Sequence, residues 1–463
     1  MKRMLIVALM SVLSFFSCQI KAEGTHPHPL LRGDWKVEFS HPDIGQVRLI
    51  LSIEAEENTF RAHTRKGADK IILGRWTSFL GRTFTSSFKE GCFIVVDEGK
   101  ITCEDGRLLL DGIFRSPLGN YYFKGTVEER KLQVNLTTKS ETVRATMSGV
   151  PLVEPLPLAD YQSVLDQVFK DTERYLYNRR LIEDKPWQTF KSKMIDLSTE
   201  VNDDLELVFA FYYYAQKLPF SHFALVRGQM ENTAEKVRER HLSFEDKGEG
   251  IGVLTISSFG GSAEEMEDVF RLIEQRNTMH LIVDLRNNTG GSIEAGLTFA
   301  NHVATATYDG GVFLTRQWFD HHSQLPTSAQ RSAFRAFSDP NATALVANIH
   351  RQEGISLFAK PADTARFTGD LYVLINGKTA STAEPLVYAL QSQRRALVVG
   401  EKTAGAMLNS ERFSLAEGFT LVLPTADYYT ADGKRLDQLG VQPSIAIPSD
   451  EALDYVMKRL IKK

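Results

Sequence analysis

Cysteine is scarce in this chain: Cys18, Cys92 and Cys103 are the three among 463 residues. A scaffold built on disulfides is excluded by that count. No Cys/His spacing of the zinc-binding kind occurs either. An excess of one charge is also missing, with a formal net charge of −4. No basic block is long enough to argue for nucleic acid or an anionic membrane surface. Beyond the first 22 residues, no apolar run approaches the roughly 20 residues of a membrane-spanning helix.

The N-terminus has a pattern of its own. Met1-Lys-Arg-Met4 is basic, Leu5 to Phe16 is apolar, and Ser17 to Ala22 is small or polar. That order is a secretory leader, too short in its apolar part to span a bilayer, and cleavage is expected after Ala22. The alternative is a lipoprotein lipidated at Cys18, the only route by which a membrane would be a partner. The mature chain is expected to be exported, to periplasm, envelope or medium. Cys92 and Cys103 flank what reads as a hairpin turning at Asp97-Glu-Gly99, and an oxidising compartment would let them bridge.

From Gly33 to Val150 apolar and polar residues alternate, with turns every several residues, as in Gln46-Val-Arg-Leu-Ile-Leu-Ser-Ile53. This predicts an antiparallel β sandwich or barrel over 29–150, of unknown role, after a signal peptide at 1–22. Val150-Pro-Leu-Val-Glu-Pro-Leu-Pro157 is a hinge. Helical spacing follows over 155–225, chiefly in Tyr161–Tyr177 and Leu205–Gln216. The remaining 226–463 alternates strand and helix. Strands are expected at 251–257, 280–286, 312–317, 371–376, 396–400 and 418–424, with helices at 262–276, 291–304, 327–350, 381–392 and 449–461. The fold class is therefore multidomain α/β.

Two runs carry the chemistry. Leu281-Ile-Val-Asp-Leu-Arg-Asn-Asn-Thr-Gly-Gly291 and Leu371-Tyr-Val-Leu-Ile-Asn-Gly-Lys-Thr-Ala-Ser381-Thr-Ala-Glu384 each read as a buried parallel strand, a polar turn and a helix start. Ligands of open α/β sheets bind at such C-terminal strand ends. Ser381 alone would be an N-cap. The following N–H, on Thr382, would lie where an oxyanion forms. His222, in Phe220-Ser-His-Phe223, alone would be a packed structural histidine, and Asp437 alone a turn carboxylate. Gly377-Lys-Thr379 lacks the earlier glycine of a phosphate loop, since Tyr372 stands there. Asp320-His-His322 reads as a surface group rather than a metal site, and Tyr212-Tyr-Tyr214 as helix core.

Taken in order, Phe220–Phe223, Gly250–Ile256, Asp284–Gly291, Thr379–Glu384, Val399–Gly405 and Leu439–Pro443 resemble the tail-specific (C-terminal processing) serine peptidases, including their tricorn-core branch. The resemblance covers about residues 155–450 and implies a ClpP/crotonase-like peptidase core. One branch of that family uses a Ser-Lys dyad, and the dyad lysine falls here at Ala406. That branch also carries a PDZ domain, for which Arg227–Lys247 is too short. The tricorn-like branch implies a catalytic set of Ser381, His222 and Asp437, with Asp437 standing where the family has glutamate. Gly290, Gly291 and Thr382 would bind the oxyanion, and Ser221 and Glu401 would support the site. Glu401 is also the competing third acid.

The expectation is an exported serine peptidase acting on peptides or proteins through an acyl-enzyme, with no cofactor and no metal. The alternative is a non-catalytic ligand-binding protein on the same scaffold. Oligomeric state has no cue in the sequence.

Overall fold

The computed structural model of the chain describes residues 30–72, 90–104, 106–228, 241–337 and 342–461. The leader, its Ala22 cleavage site and Cys18 lie outside the described residues.

The alternating N-terminal region forms eight antiparallel strands. They are β1 (Gly33–His41), β2 (Gly45–Glu56), β3 (Thr59–His63), β4 (Val95–Glu104), β5 (Arg107–Ser116), β6 (Gly119–Glu128), β7 (Lys131–Thr137) and β8 (Val143–Pro151). Neighbours pair in sequence, β1 pairs both β8 and β2, and the sheet closes into a barrel. Closure leaves no open edge. The inward residues of the alternation, among them Trp35, Val37, Phe39, Leu49 and Leu51, are buried.

The expected hairpin at Asp97–Gly99 is instead a bulge inside β4. Glu98 has a left-handed φ of 55°, and the pairing with β5 slips between Asp97 and Lys100. Cys103 sits near the far end of this strand and Cys92 just before its start. At about 3.3 Å per residue they stand on the order of 30 Å apart, far beyond disulfide reach. The expected Cys92–Cys103 bridge is not formed, and Cys92 is a buried free thiol.

Helices Tyr161–Tyr175, Lys185–Leu197 and Asp204–Ala215 follow. The second, inside the expected helical segment 155–225, starts with proline in its first turn. Of the tyrosine run, Tyr212 is 57% exposed and is not core; Tyr214 is partly buried and donates to the Ile71 and Ile72 carbonyls.

The α/β core adds β9 (Ala224–Arg227), β10 (Leu242–Gly248), β11 (Ile251–Ile256), β12 (His280–Asp284), β13 (Tyr308–Thr315), β14 (Arg335–Phe337), β15 (Gly354–Ala359), β16 (Asp370–Ile375), β17 (Ala396–Gly400), β18 (Leu408–Ser414), β19 (Phe419–Tyr429) and β20 (Ile445–Ala446). One sheet runs β10-β11-β12-β16-β17-β20, parallel except for β10. Leu281, Ile282 and Val283 of β12 are wholly buried, as a strand covered on both faces must be. A parallel bridge, Gly45 to Arg227, joins barrel strand β2 to β9. From β9 the sheet continues through β19, β13 and β15 to β14, and β18 pairs with β19.

The single helix expected over 327–350 is broken. Ser328–Ala333 is a helix, Arg335–Phe337 is a strand on β15, and Ala342–Ile349 is helical again. Pro340 stands within that span and signals the interruption. Residues 229–240, in the stretch judged too short for a PDZ domain, lie outside the described residues.

Candidate active site

The two motif loops leave the C-terminal ends of the adjacent parallel strands β12 and β16. After β12, Asp284 pairs with Arg286 in a two-point contact. Asn288 turns fully inward, donates to the Ile256 carbonyl at 2.8 Å and accepts the Gly290 N–H at 2.8 Å. After β16, Ala380 N donates to Asn288 O and Ser381 N to Ala406 O, each at 2.9 Å. These bonds hold Ser381 at a φ of +55° just before helix Ala383–Ser392. A non-glycine residue in that region costs about 1–3 kcal/mol and persists only where its surroundings over-determine it. His222 is held likewise, at φ +56°, in the turn before β9.

The turn before β9 and the loop after β19 bring the other expected residues to the same place. His222 Nε2 lies 3.3 Å from Ser381 Oγ. Its Nδ1 lies 2.7 Å from Ser221 Oγ, which in turn lies 2.5 Å from Asp437 Oδ1. Asp437 is wholly buried and also accepts from Ser221 N, Met407 N and Arg435 Nη2 at 3.1–3.2 Å.

The hydrogen count fixes the tautomer. Ser221 Oγ has one proton, and the carboxylate can only accept it. Oγ must then accept from Nδ1–H, which leaves the Nε2 lone pair for the Ser381 hydroxyl. Burial lowers the pKa of His222, with the Asp437 charge opposing, so the imidazole is neutral at neutral pH. Asp437 reaches His222 through a serine rather than by direct contact, which the sequence reading had not foreseen.

Of the three expected oxyanion donors, Gly290 has its N–H committed to Asn288. The N–H groups of Gly291 and Thr382 donate to no other described residue. Gly290 serves differently: a Cβ on it would lie 2.5 Å from Ser381 Cβ. Glu401 is exposed and accepts from Ser449 N at 3.2 Å, away from His222. Lys378 and Lys402 are exposed as well.

A cavity of about 270 Å³ opens beside Ser381 and His222. Ile293, Leu297, Phe313, Leu357, Leu386 and Met407 line it, and no Asp, Glu, Lys or Arg among the described residues does.

Residues 250–447 match the model of peptidase family S41. The α/β core is a peptidase family S41 core. The chain is 28% identical over 214 residues to a carboxyl-terminal-processing protease of Picosynechococcus sp., an alignment covering 46% of this chain and 42% of that one. It is 25% identical over 215 residues to the carboxy-terminal processing protease CtpA of Bacillus subtilis, covering 46% and 38%. The chain thus spans about two fifths of the length of the curated relatives it matches.

Within this S41 core, Ala406 occupies the place of the dyad lysine implied by the sequence resemblance, and its carbonyl touches the Ser381 amide. Position 406 is thus beside the serine but offers no amine.

One residue of the S41 core that the sequence reading quoted without a role is Glu384. Wholly buried, it accepts from Thr403 Oγ1 at 2.6 Å, from Gly405 N and Ala406 N at 2.8 Å and from Ser381 N at 3.2 Å. It ties the serine turn to the 403–406 loop. Burial raises its pKa while those four donors oppose the rise. Its position in the first turn of a helix was the one available cue.

Proposed function

We propose that the chain is an exported serine peptidase that cleaves peptide bonds through an acyl-enzyme, with Ser381 as nucleophile and His222 as general base. The observation that carries this reading is the unbroken path Ser381–His222–Ser221–Asp437, in the tautomer a base requires. Ser381 Oγ attacks the peptide carbonyl carbon while its proton moves to Nε2. The tetrahedral oxyanion is met by the N–H groups of Gly291 and Thr382, which donate to no other described residue. Such a donor is worth about 3–4 kcal/mol of barrier in comparable enzymes. Collapse breaks the C–N bond, and the departing amine takes the proton from Nε2. Water then repeats the sequence on the ester. Every proton is carried by His222, and the path calls for no metal or cofactor.

The cavity suits an apolar side chain on the residue that becomes the acyl group. Burying such a chain stabilises the complex by about 1.5–3 kcal/mol, whereas a carboxylate or ammonium would meet no Asp, Glu, Lys or Arg of the described residues there. The edge of β18 away from β19 carries no strand among the described residues, and an extended peptide can pair with it. The division into leader 1–22, barrel 29–150, helical segment 155–225 and peptidase core 226–463 belongs to this reading, as does export.

The test is hydrolysis of unstructured peptides that differ only in one residue, Leu, Phe, Asp or Lys, with cleavage positions read by mass spectrometry. Cleavage after Leu or Phe, abolished by Ser381→Ala, is expected. Cleavage that survives Ser381→Ala would remove the proposal.

A further inference from the structure

We propose that Arg435 is a positioning residue for the hydrolysis proposed above, its guanidinium shared between Asp427 and Asp437 so that the acid behind Ser221 is fixed in place and charge. The proposal rests on that functional reading. Nε of Arg435 donates to Asp427 Oδ2 at 2.8 Å. Its Nη2 donates to Asp437 Oδ2 at 3.1 Å and to the Tyr177 hydroxyl at 3.0 Å. Both carboxylates are buried, at 2% and 0% exposure. Asp437 stands two residues beyond Arg435 and Asp427 eight residues before it, in β19, while Tyr177, just after helix Tyr161–Tyr175, is distant in the chain.

A structural ion pair would match one cation to one anion. Here two buried carboxylates share one guanidinium, which leaves a net negative charge on the side of Ser221 opposite His222. Such a charge favours the imidazolium that forms as Ser381 is deprotonated. Nε and Nη2 lie on one edge of a rigid planar fork. Bonding to β19 through the first and to Asp437 through the second therefore fixes where Asp437 sits relative to Ser221. A lysine offers three donors from one nitrogen but lacks the fixed spacing between two of them that the fork imposes.

Asp427 extends the argument to pH. The groups facing it are Arg435, Asp437, Tyr429 and Tyr177. Its Oδ2 accepts from Tyr429 and Arg435, while its Oδ1 has no hydrogen-bond partner among the described residues. Burial pushes its pKa up to about 6, against the pull of Arg435. Protonating Asp427 cancels one of the two negative charges and leaves Arg435 neutralising Asp437 alone, so the imidazolium loses support.

Three variants test this in the full chain: Arg435→Gln, Arg435→Lys and Asp427→Asn. The readouts are kcat and KM on a cleaved peptide and the rate of Ser381 labelling by a fluorophosphonate. Arg435→Gln is expected to lower kcat and labelling rate by about 30-fold or more with KM within about threefold, and Arg435→Lys to recover little of it. Asp427→Asn keeps the Arg435–Asp437 bond. It is expected to make the acid side of the kcat/KM profile less steep, by removing one of two ionisations. Wild-type kcat and labelling in a folded Arg435→Gln would overturn the proposal. If Arg435→Gln does not fold, an Asp427→Asn profile identical to wild type overturns it instead. Wild-type protein that fails to label at Ser381 removes the functional reading itself, and this role with it. Labelling equally fast with and without Arg435 removes only the role.

Discussion

Ser221 Oγ stands between His222 and Asp437, 2.7 Å from the Nδ1 of one and 2.5 Å from the Oδ1 of the other. The carboxylate therefore sets the imidazole tautomer through a hydroxyl. Ser221→Ala is expected to lower kcat by about 10²–10³, and Ser221→Thr to restore most of it. Direct acid-to-amide changes cost about 10⁴. Asp437→Asn should cost less than that, because the hydroxyl still accepts from Nδ1–H. Glu401→Gln should stay within about threefold of wild type. Steady-state peptide cleavage decides, and collapse in Glu401→Gln beside a near-normal Asp437→Asn would show that the wrong acid is named.

Gly290 is pressed against the nucleophile. Alanine there would place Cβ 2.5 Å from Ser381 Cβ, at a φ of +97° that disfavours side chains. Gly290→Ala is expected to push Ser381 out of reach of His222 and reduce kcat at least about 10²-fold, with the far-UV circular dichroism of the barrel and core retained. Near-normal turnover would mean that the serine turn has room to shift.

Glu384 accepts from four donors. Glu384→Gln would set an N–H₂ against N–H and O–H groups. Leaving a buried donor unpaired costs about 1–3 kcal/mol. A clear fall in Tm and a comparable loss of labelling at Ser381 are expected, measured on the same preparation. An unchanged Tm would show that the 403–406 loop does not depend on this acid.

The sequence made the parallel strands legible because β12 and β16 are buried on both faces and read as unbroken apolar runs. Ser381, His222 and Asp437 each read alone as structural, and only the family resemblance of the ordered motifs around them implied that they meet. What stayed hidden depends on long-range geometry. Nothing local to Glu384 announces the 403–406 loop, and nothing local to Ser221 distinguishes a bridging hydroxyl from a bystander. The bulge at Glu98 has the polar composition of a turn, and only its pairing with β3 and β5 shows the strand continuing.

Asp203 links the helical segment to pH. It is buried, and its Oδ1 accepts the Glu206 N–H at 2.9 Å as the N-cap of helix Asp204–Ala215. Burial, then the neighbouring Glu206 charge, pushes its pKa up to about 8. A folded pKa above the unfolded one gives stability that is present below about pH 4 and is lost as pH rises through about 8. Asn caps as well as Asp. Asp203→Asn is therefore expected to gain Tm relative to wild type between pH 4 and 8, with no further gain above. Parallel Tm curves for the two proteins would contradict this.

The account turns on Ser381 being an activated nucleophile, and the most direct measurement is covalent labelling of the folded chain by a fluorophosphonate, with the adduct located by peptide mass spectrometry. One adduct on Ser381 is expected, absent in Ser381→Ala and slowed at least about 10²-fold in His222→Ala. An unlabelled Ser381 in folded protein, or labelling that persists unchanged in His222→Ala, would contradict the account.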